Sequence, residues 1–293
     1  MPATQPIVVS RVPELREILA AQRRRGATIG FVPTMGALHA GHGALVEQAH
    51  RETDCVVVSV FVNPTQFAPH EDFSRYPRTF DADLDLCGRN GASVLWNPGV
   101  EDMYPVGCST FVEVPDVSRE WEGAFRPTHF RGVATVVMKL FAAVQPEVAY
   151  FGQKDFQQQA VIRAMARDLL LHVDIRVCPT VRDADGLALS SRNRYLSADE
   201  RAAALALSRG LFAVRDDIAD GLRDFAAARS TLRAVLDAAP LLETQYATLA
   251  DPETLREVNS PADVTTPGGR VVAMVAAKVG ATRLIDNELI AFA

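Results

Sequence analysis

The stretch PTMGALHAGHGALVEQAH, residues 33–50, sets His39 and His42 three apart, with Gly41 directly before the second. That spacing places both imidazoles on one face of a helical turn. Three readings compete for such a pair: metal ligation, phosphate binding, and no chemistry at all. A zincin carries HExxH, with histidines four apart and a glutamate beside the first. Here the spacing is three, Ala40 takes the glutamate's place, and no nearby Cys or third His completes a ligand set. Metal ligation is therefore disfavoured. Two histidines without a task would be the default for an isolated pair, but the flanks favour a phosphate. An apolar run ends at Pro33–Thr34–Met35, Gly36 permits a tight turn, and the histidines open a helix. The N–H groups of a helix N-terminus are unpaired and carry partial positive charge, which makes a ready anion site. Histidine adds donors that a bound polyphosphate would keep protonated. Gly41, lacking a side chain, lets a flat ring or a sugar lie against the helix.

Attack on a nucleotide phosphate needs more cations for the leaving pyrophosphate. The segment GQKDFQQQ (152–159) places Lys154 where an apolar strand gives way to a helix, and LALSSRNR (187–194) offers Ser190, Ser191 and Arg192. Lysine is scarce here: of 30 basic residues only Lys139, Lys154 and Lys278 are lysines. Arg23–Arg25 before Gly26 reads instead as the cationic last turn of a helix with a glycine at its C-cap.

These residues must be delivered by a scaffold, and the texture of the chain supplies one. Strand-like runs at 27–35, 54–63, 92–98, 147–153 and 174–181 alternate with helical patterns at 38–50, 81–90, 132–145 and 154–170. DCVVVSVFVN is continuously apolar, as in a strand buried on both faces of a parallel sheet. Such alternation predicts βαβ units, and ligands then bind beyond the carboxyl ends of the strands. After RDADGLALSSRNRYLS come two Ala-rich helices, 198–219 and 224–239, then ETQYATLA and a long apolar stretch halved by Gly280. We expect an α/β protein with a Rossmann-like domain over 1–185 and a smaller α+β domain over 186–293, the boundary lying near Asp185–Gly186. The segment 67–80, with two prolines and several polar residues, is expected to form a mobile flap.

Composition excludes several classes. A net charge of −6 over 293 residues opposes a sequence-independent grip on nucleic acid or an anionic membrane. No apolar run approaches the ~18 residues of a membrane span. Four cysteines without a CxxC pair suit a reducing compartment, and no secretory signal is visible, so a cytoplasmic location is expected.

FVPTMGALHAGH, VSVFVNPTQF, YPRTFDADL, RPTHFRGVATVV, FGQKDFQQ, PTVRDADGLALSSRNRYL and the terminal TRLIDN together resemble the pantothenate synthetase (pantoate–β-alanine ligase) family. That family lies within the HIGH/KMSKS-type nucleotidyltransferases. The resemblance implies ATP-dependent condensation of pantoate with β-alanine through a pantoyl adenylate, on a cytoplasmic homodimer with a C-terminal lid. It implies ATP contacts from Met35, Gly36, His39, Gly41, His42, Gly152, Lys154, Asp155, Val181, Leu189, Ser190, Ser191 and Arg192. His39, His42, Lys154, Ser190, Ser191 and Arg192 among these would carry the catalysis. It places pantoate and β-alanine near Asn63, Gln66, Arg126 and Gln158. Mg2+ is implied with ATP, and Asp83 is the candidate metal ligand, although Ala82 interrupts the adjacent acids usual there. Gln153 stands where GEKD is commoner, and Leu189 where AMSSRN carries methionine. Gly43 is expected to cost the motif helix about 1 kcal/mol. The competing readings are another nucleotidyltransferase of the superfamily and a catalytically silent nucleotide binder.

Overall fold

The computed structural model describes residues 5–69, 71 and 73–292. The chain divides into two units, Met1–Gly152 with Val161–Pro179, and Gln153–Ala160 with Thr180–Ala293. The longer segment of the second unit opens at Thr180, and the Lys154 segment groups with that unit.

The first unit is built on a parallel sheet. Its strands are β1 (Ile7–Val9), β2 (Ile29–Thr34), β3 (Cys55–Val60), β4 (Val94–Trp96), β5 (Val148–Gly152) and β6 (Asp174–Cys178). They lie in the order β1-β4-β3-β2-β5-β6. The six residues of β3, CVVVSV, are all buried, as the unbroken apolar run requires of a strand covered on both faces. Each buried valine there contributes roughly 1.5–3 kcal/mol. β3 runs in register with β2 from Ile29↔Cys55 to Thr34↔Val60. On its other side β2 meets β5 only at Gly30 and Phe31, so Pro33, which has no N–H, lies past that ladder.

Helices α1 (Val12–Arg24), α2 (Ala40–Glu52), α3 (Phe80–Arg89) and α7 (His129–Val144) connect the strands, with short helices α4 (Val100–Met103), α5 (Pro115–Ser118) and α6 (Glu122–Phe125) between α3 and α7. Leu45, Val46 and Ala49 of α2 and Cys87 of α3 pack on Val32, Val56, Val58 and Leu95 of the sheet. Burial pushes the Cys87 thiol up to about 12. The chain order runs outward from β2 through β3 and β4 on one side, and through β5 and β6 on the other. β2 and β5 therefore flank the switch point, where such sheets bind their ligands.

Helix α8 (Phe156–Asp168) begins in the second unit and continues in the first. The rest of the second unit packs α9 (Ala198–Ala219) and α10 (Phe225–Asp237) on an antiparallel sheet β7-β8-β9. Its strands are β7 (Leu242–Ala250), β8 (Arg270–Val279) and β9 (Thr282–Ala291). Leu207, Leu211, Val214, Leu232 and Leu236 meet Val271, Ala273 and Val275 in its core. Gly280 turns the chain between β8 and β9, pairing Val279 with Thr282.

Candidate active site

The turn after β2 is wound left-handed at two consecutive residues, with φ of 82° at Gly36 and 51° at Ala37. Glycine adopts that conformation freely, whereas an alanine there costs about 1–2 kcal/mol. A buried carboxylate holds the turn in place. Asp83, in the first turn of α3, accepts the N–H of Ala37 on Oδ2 at 3.0 Å and that of Leu38 on Oδ1 at 2.8 Å. Thr79 donates its hydroxyl to the same Oδ1 at 3.0 Å. A Cβ on Gly36 would stand 3.1 Å from Asp83 Oδ2 and 3.0 Å from Val60, so the carboxylate and the glycine fit one another. Asp83 is 1% exposed. Its oxygens accept from three donors, and it positions the turn. No cluster of three or more His, Cys, Asp or Glu among the described residues could hold a metal ion.

His39 is the N-cap of α2 and His42 its third residue. The two cap the helix reciprocally: Gly41 N–H donates to His39 Nδ1 at 3.2 Å, and His39 N–H to His42 Nδ1 at 3.3 Å. A ring nitrogen that accepts carries no proton, so both neutral imidazoles are Nε2–H tautomers. The sequence suggested donors, and the capping supplies the reason each ring has one. The rings lie 4.2 Å apart, tilted by 48°. Gly43, which should weaken the helix, is buried, and a Cβ there would stand 3.1 Å from the Asn90 side chain. Its absent side chain lets α2 approach the end of α3.

Gln66 is buried rather than a surface residue. It ends the short 3-10 turn Pro64–Gln66, and its amide donates to Met35 Sδ at 2.9 Å while accepting from Asn63 Nδ2 at 3.0 Å. Asn63 is fully engaged: Nδ2 also donates to Gly132 O, and Oδ1 accepts from Thr65 and Tyr104. It therefore fixes Gln66. α7 closes on this turn at Gly132, where a Cβ would lie 2.4 Å from Thr65 O.

Arg126, placed near the substrates from the sequence, forms a bidentate pair with Glu71 at 2.6 and 2.7 Å. It also donates to Gln66 O at 3.3 Å. Burial would raise the Glu71 carboxyl, but Arg126 holds it below the usual range. Glu71 lies in the segment 67–80, of which His70 and Asp72 fall outside the described residues. His129 was missed entirely. Its Nδ1 sits 3.0 Å from Gln66 O and its Nε2 3.2 Å from Arg126 Nη1, so Nδ1–H donates and Nε2 accepts.

Burial, and then the Arg126 charge, push His129 down to about 4. An unfolded histidine titrates near 6.5, so between these values only the unfolded chain takes the proton and stability falls on acidification. The difference amounts to about 3 kcal/mol lost as pH drops from about 6.5 to 4. Urea denaturation of the wild type and His129→Gln across this range should show a flatter dependence in the variant. Parallel slopes would remove His129 as the titrating group.

In the second unit, Lys154 is half-buried, and its ammonium makes no hydrogen bond or ion pair among the described residues. Asp155 precedes α8 and accepts Gln159 N–H on its backbone oxygen, while Gln158 is half-buried on the first turn. Val181 accepts the N–H of Leu189 at 3.0 Å, closing a small hairpin that carries Ser190 out at its end. Ser190 caps the 3-10 turn Ser191–Tyr195, its Oγ taking Arg192 N–H at 3.2 Å.

A parallel sheet whose switch-point turn presents two imidazole donors at a helix N-terminus defines a Rossmann-like α/β protein of the nucleotidyltransferase type. The model of the pantoate-beta-alanine ligase family matches residues 7–289, and the chain belongs to that family of ligases. It is 53% identical over 285 residues to pantothenate synthetase 1 of Bradyrhizobium diazoefficiens, covering 97% of this chain and 98% of the relative. The crystal structure of pantothenate synthetase from Thermus thermophilus aligns with a TM-score of 0.89 at 47% identity, over 96% of this chain and 98% of that one. The Francisella tularensis pantoate-beta-alanine ligase, complexed with beta-gamma ATP and beta-alanine, aligns with a TM-score of 0.77 at 32% identity, over 97% of both chains.

Proposed function

We propose that the chain condenses pantoate with β-alanine in two steps driven by ATP. In the first, a pantoate carboxylate oxygen attacks the α-phosphorus, the bond to the bridging oxygen breaks, and pyrophosphate leaves. In the second, the β-alanine amine attacks the acyl carbon of the adenylate, AMP departs, and the amine loses a proton. Both steps bring anions together, so charge neutralisation and positioning dominate the catalysis. His39 and His42 donate from Nε2 to the phosphates, and Lys154 and Arg192 follow the charge that develops on pyrophosphate, assisted by Ser190 and Ser191. The amides of Gln66 and Gln158 bind the pantoate hydroxyls and leave its carboxylate free to react. Asn63 and Arg126 act through Gln66. Mg2+ arrives with ATP as part of the substrate, without Asp83 as a ligand.

The observation that carries this reading is the reciprocal capping of His39 and His42, which commits both Nδ1 atoms to backbone N–H groups and so puts the donor of each neutral ring at Nε2. Pantoate labelled with 18O in its carboxylate tests it. The adenylate route transfers one labelled oxygen to AMP, whereas unlabelled AMP would contradict it. By analogy with the family the chain works as a cytoplasmic homodimer. No helix among the described residues is long and apolar enough to cross a membrane.

A further inference from the structure

TRLIDN, near the end of the chain, carries Asp286 and Asn287, to which the reading above gives no task. Both are buried on β9, facing Val275 and Met274 of β8. Asn287 Nδ2 donates to two backbone carbonyls, Gln153 O at 2.9 Å and Lys154 O at 2.7 Å. Both acceptors are carbonyls, so the amide nitrogen must face them, and both of its protons are consumed. Its Oδ1 stands 3.5 Å from Gln153 Nε2, a donor that the commoner glutamate at that position would lack. One side chain on the second sheet thus grips the backbone of the Lys154 loop.

Its neighbour grips the other loop. Asp286 pairs bidentately with Arg182 at 2.6 and 3.0 Å, although burial pushes its carboxyl up. Arg182 belongs to the hairpin that delivers Ser190, bridging to Ala188 and donating to Gly186 O. Asn193 Nδ2 in turn holds Ala188 O at 3.0 Å, tying the Ser191–Tyr195 turn to the same hairpin. The Arg182 guanidinium stacks on Phe212 at 4.9 Å, and Arg215 covers that ring at 4.7 Å. The guanidinium plane is held by both its carboxylate and its ring.

We infer that Asp286 and Asn287 are positioning residues that fix the Lys154 loop and the Ser190–Arg192 loop in one relation, as two adjacent teeth on a single strand. The inference rests on the reading of those loops as the phosphate-binding cations. Loss of either tooth lets one loop shift against the other, and a displacement of about 1 Å is enough to cost ~10²-fold in rate.

The test is pantoate-dependent pyrophosphate release from MgATP by the full chain, with kcat and the KM for ATP measured separately. Asn287→Asp places a carboxylate against two carbonyls, and Asp286→Asn halves the grip on Arg182. Each should lower kcat by ~10²-fold and raise the KM for ATP. Leu284→Val, a core change on the same strand, is the stability control and should keep the wild-type kcat whatever its loss of Tm. Should Asn287→Asp fail to fold, Asn287→Ala removes the donors without adding charge and is read in the same way. A kcat within about twofold of wild type, or a loss no greater than that of a control with equal loss of Tm, overturns the inference. Lys154→Ala and Arg192→Ala are measured alongside. If they are crippled and the Asn287 variants are not, the positioning role alone falls. If they too are unimpaired, the phosphate reading of the loops falls with it.

Discussion

Lys154→Ala is expected to slow pyrophosphate release by about 10²–10³-fold, the scale on which one preorganised donor to a developing charge contributes. The variant should keep the fold. The ammonium has no hydrogen bond or ion pair among the described residues, and the contact that Asn287 makes goes to the Lys154 backbone, which alanine retains. Lys154 is half-buried and its charge favours the ionised form of the buried Asp286, so a modest loss of stability is expected. A lysine half-buried at the head of a helix, its ammonium held by no carboxylate in direct contact, suits an anion that arrives with the substrate. The measurement is a burst of pyrophosphate with saturating pantoate and MgATP, together with a melting curve. Near-wild-type release from a folded variant would take Lys154 out of the chemistry.

Asp83→Asn is expected to impair both stability and rate, for a different reason. The carboxylate stabilises a turn that would otherwise be strained at Ala37, and it satisfies two backbone N–H groups and a hydroxyl in a buried place. Asparagine keeps one acceptor and turns an amide N–H2 toward a backbone N–H. Leaving a buried donor unsatisfied costs about 1–3 kcal/mol. Because the turn ends at His39, its relaxation also moves the capped pair, and adenylation should fall by ~10²-fold. Excess Mg2+ separates this account from a metal-ligand role. A lost ligand would be partly rescued by saturating magnesium, whereas a relaxed turn would not. Rescue by Mg2+ would return Asp83 to the metal.

The two predictions also mark how far the sequence could be read. Lys154 and the histidines were visible because each sits where an apolar strand gives way to a helix, a purely local signal. Asp83 was visible only as an acid, since the N–H groups it holds lie 45 and 46 positions away. Asn287 is more extreme, with its partners 133 and 134 positions off. His129 lies ahead of the helical pattern read at 132–145 and looked like any polar residue until burial and Arg126 gave it a direction. The parallel sheet followed from the alternation of apolar runs, yet β3 stops at Val60 and Phe61–Asn63 leave the sheet to form the Gln66 turn. β1 went unread because its three residues bury only Val9, too little for any period to show. The four-residue helices α4 to α6 are likewise too short to display one. Asn63 and Arg126 are instructive in another way: Asn63 donates to the Gln66 side-chain amide, whereas Arg126 pairs with Glu71 and reaches only the Gln66 backbone carbonyl.

The central claim is that this chain activates a carboxylate through its adenylate. Pyrophosphate release from MgATP, with and without D-pantoate and with and without β-alanine, tests it most directly. Release is expected only when pantoate is present, with sustained turnover and free AMP only once β-alanine is added. Release that ignores pantoate, or none with pantoate despite ATP binding, would contradict it.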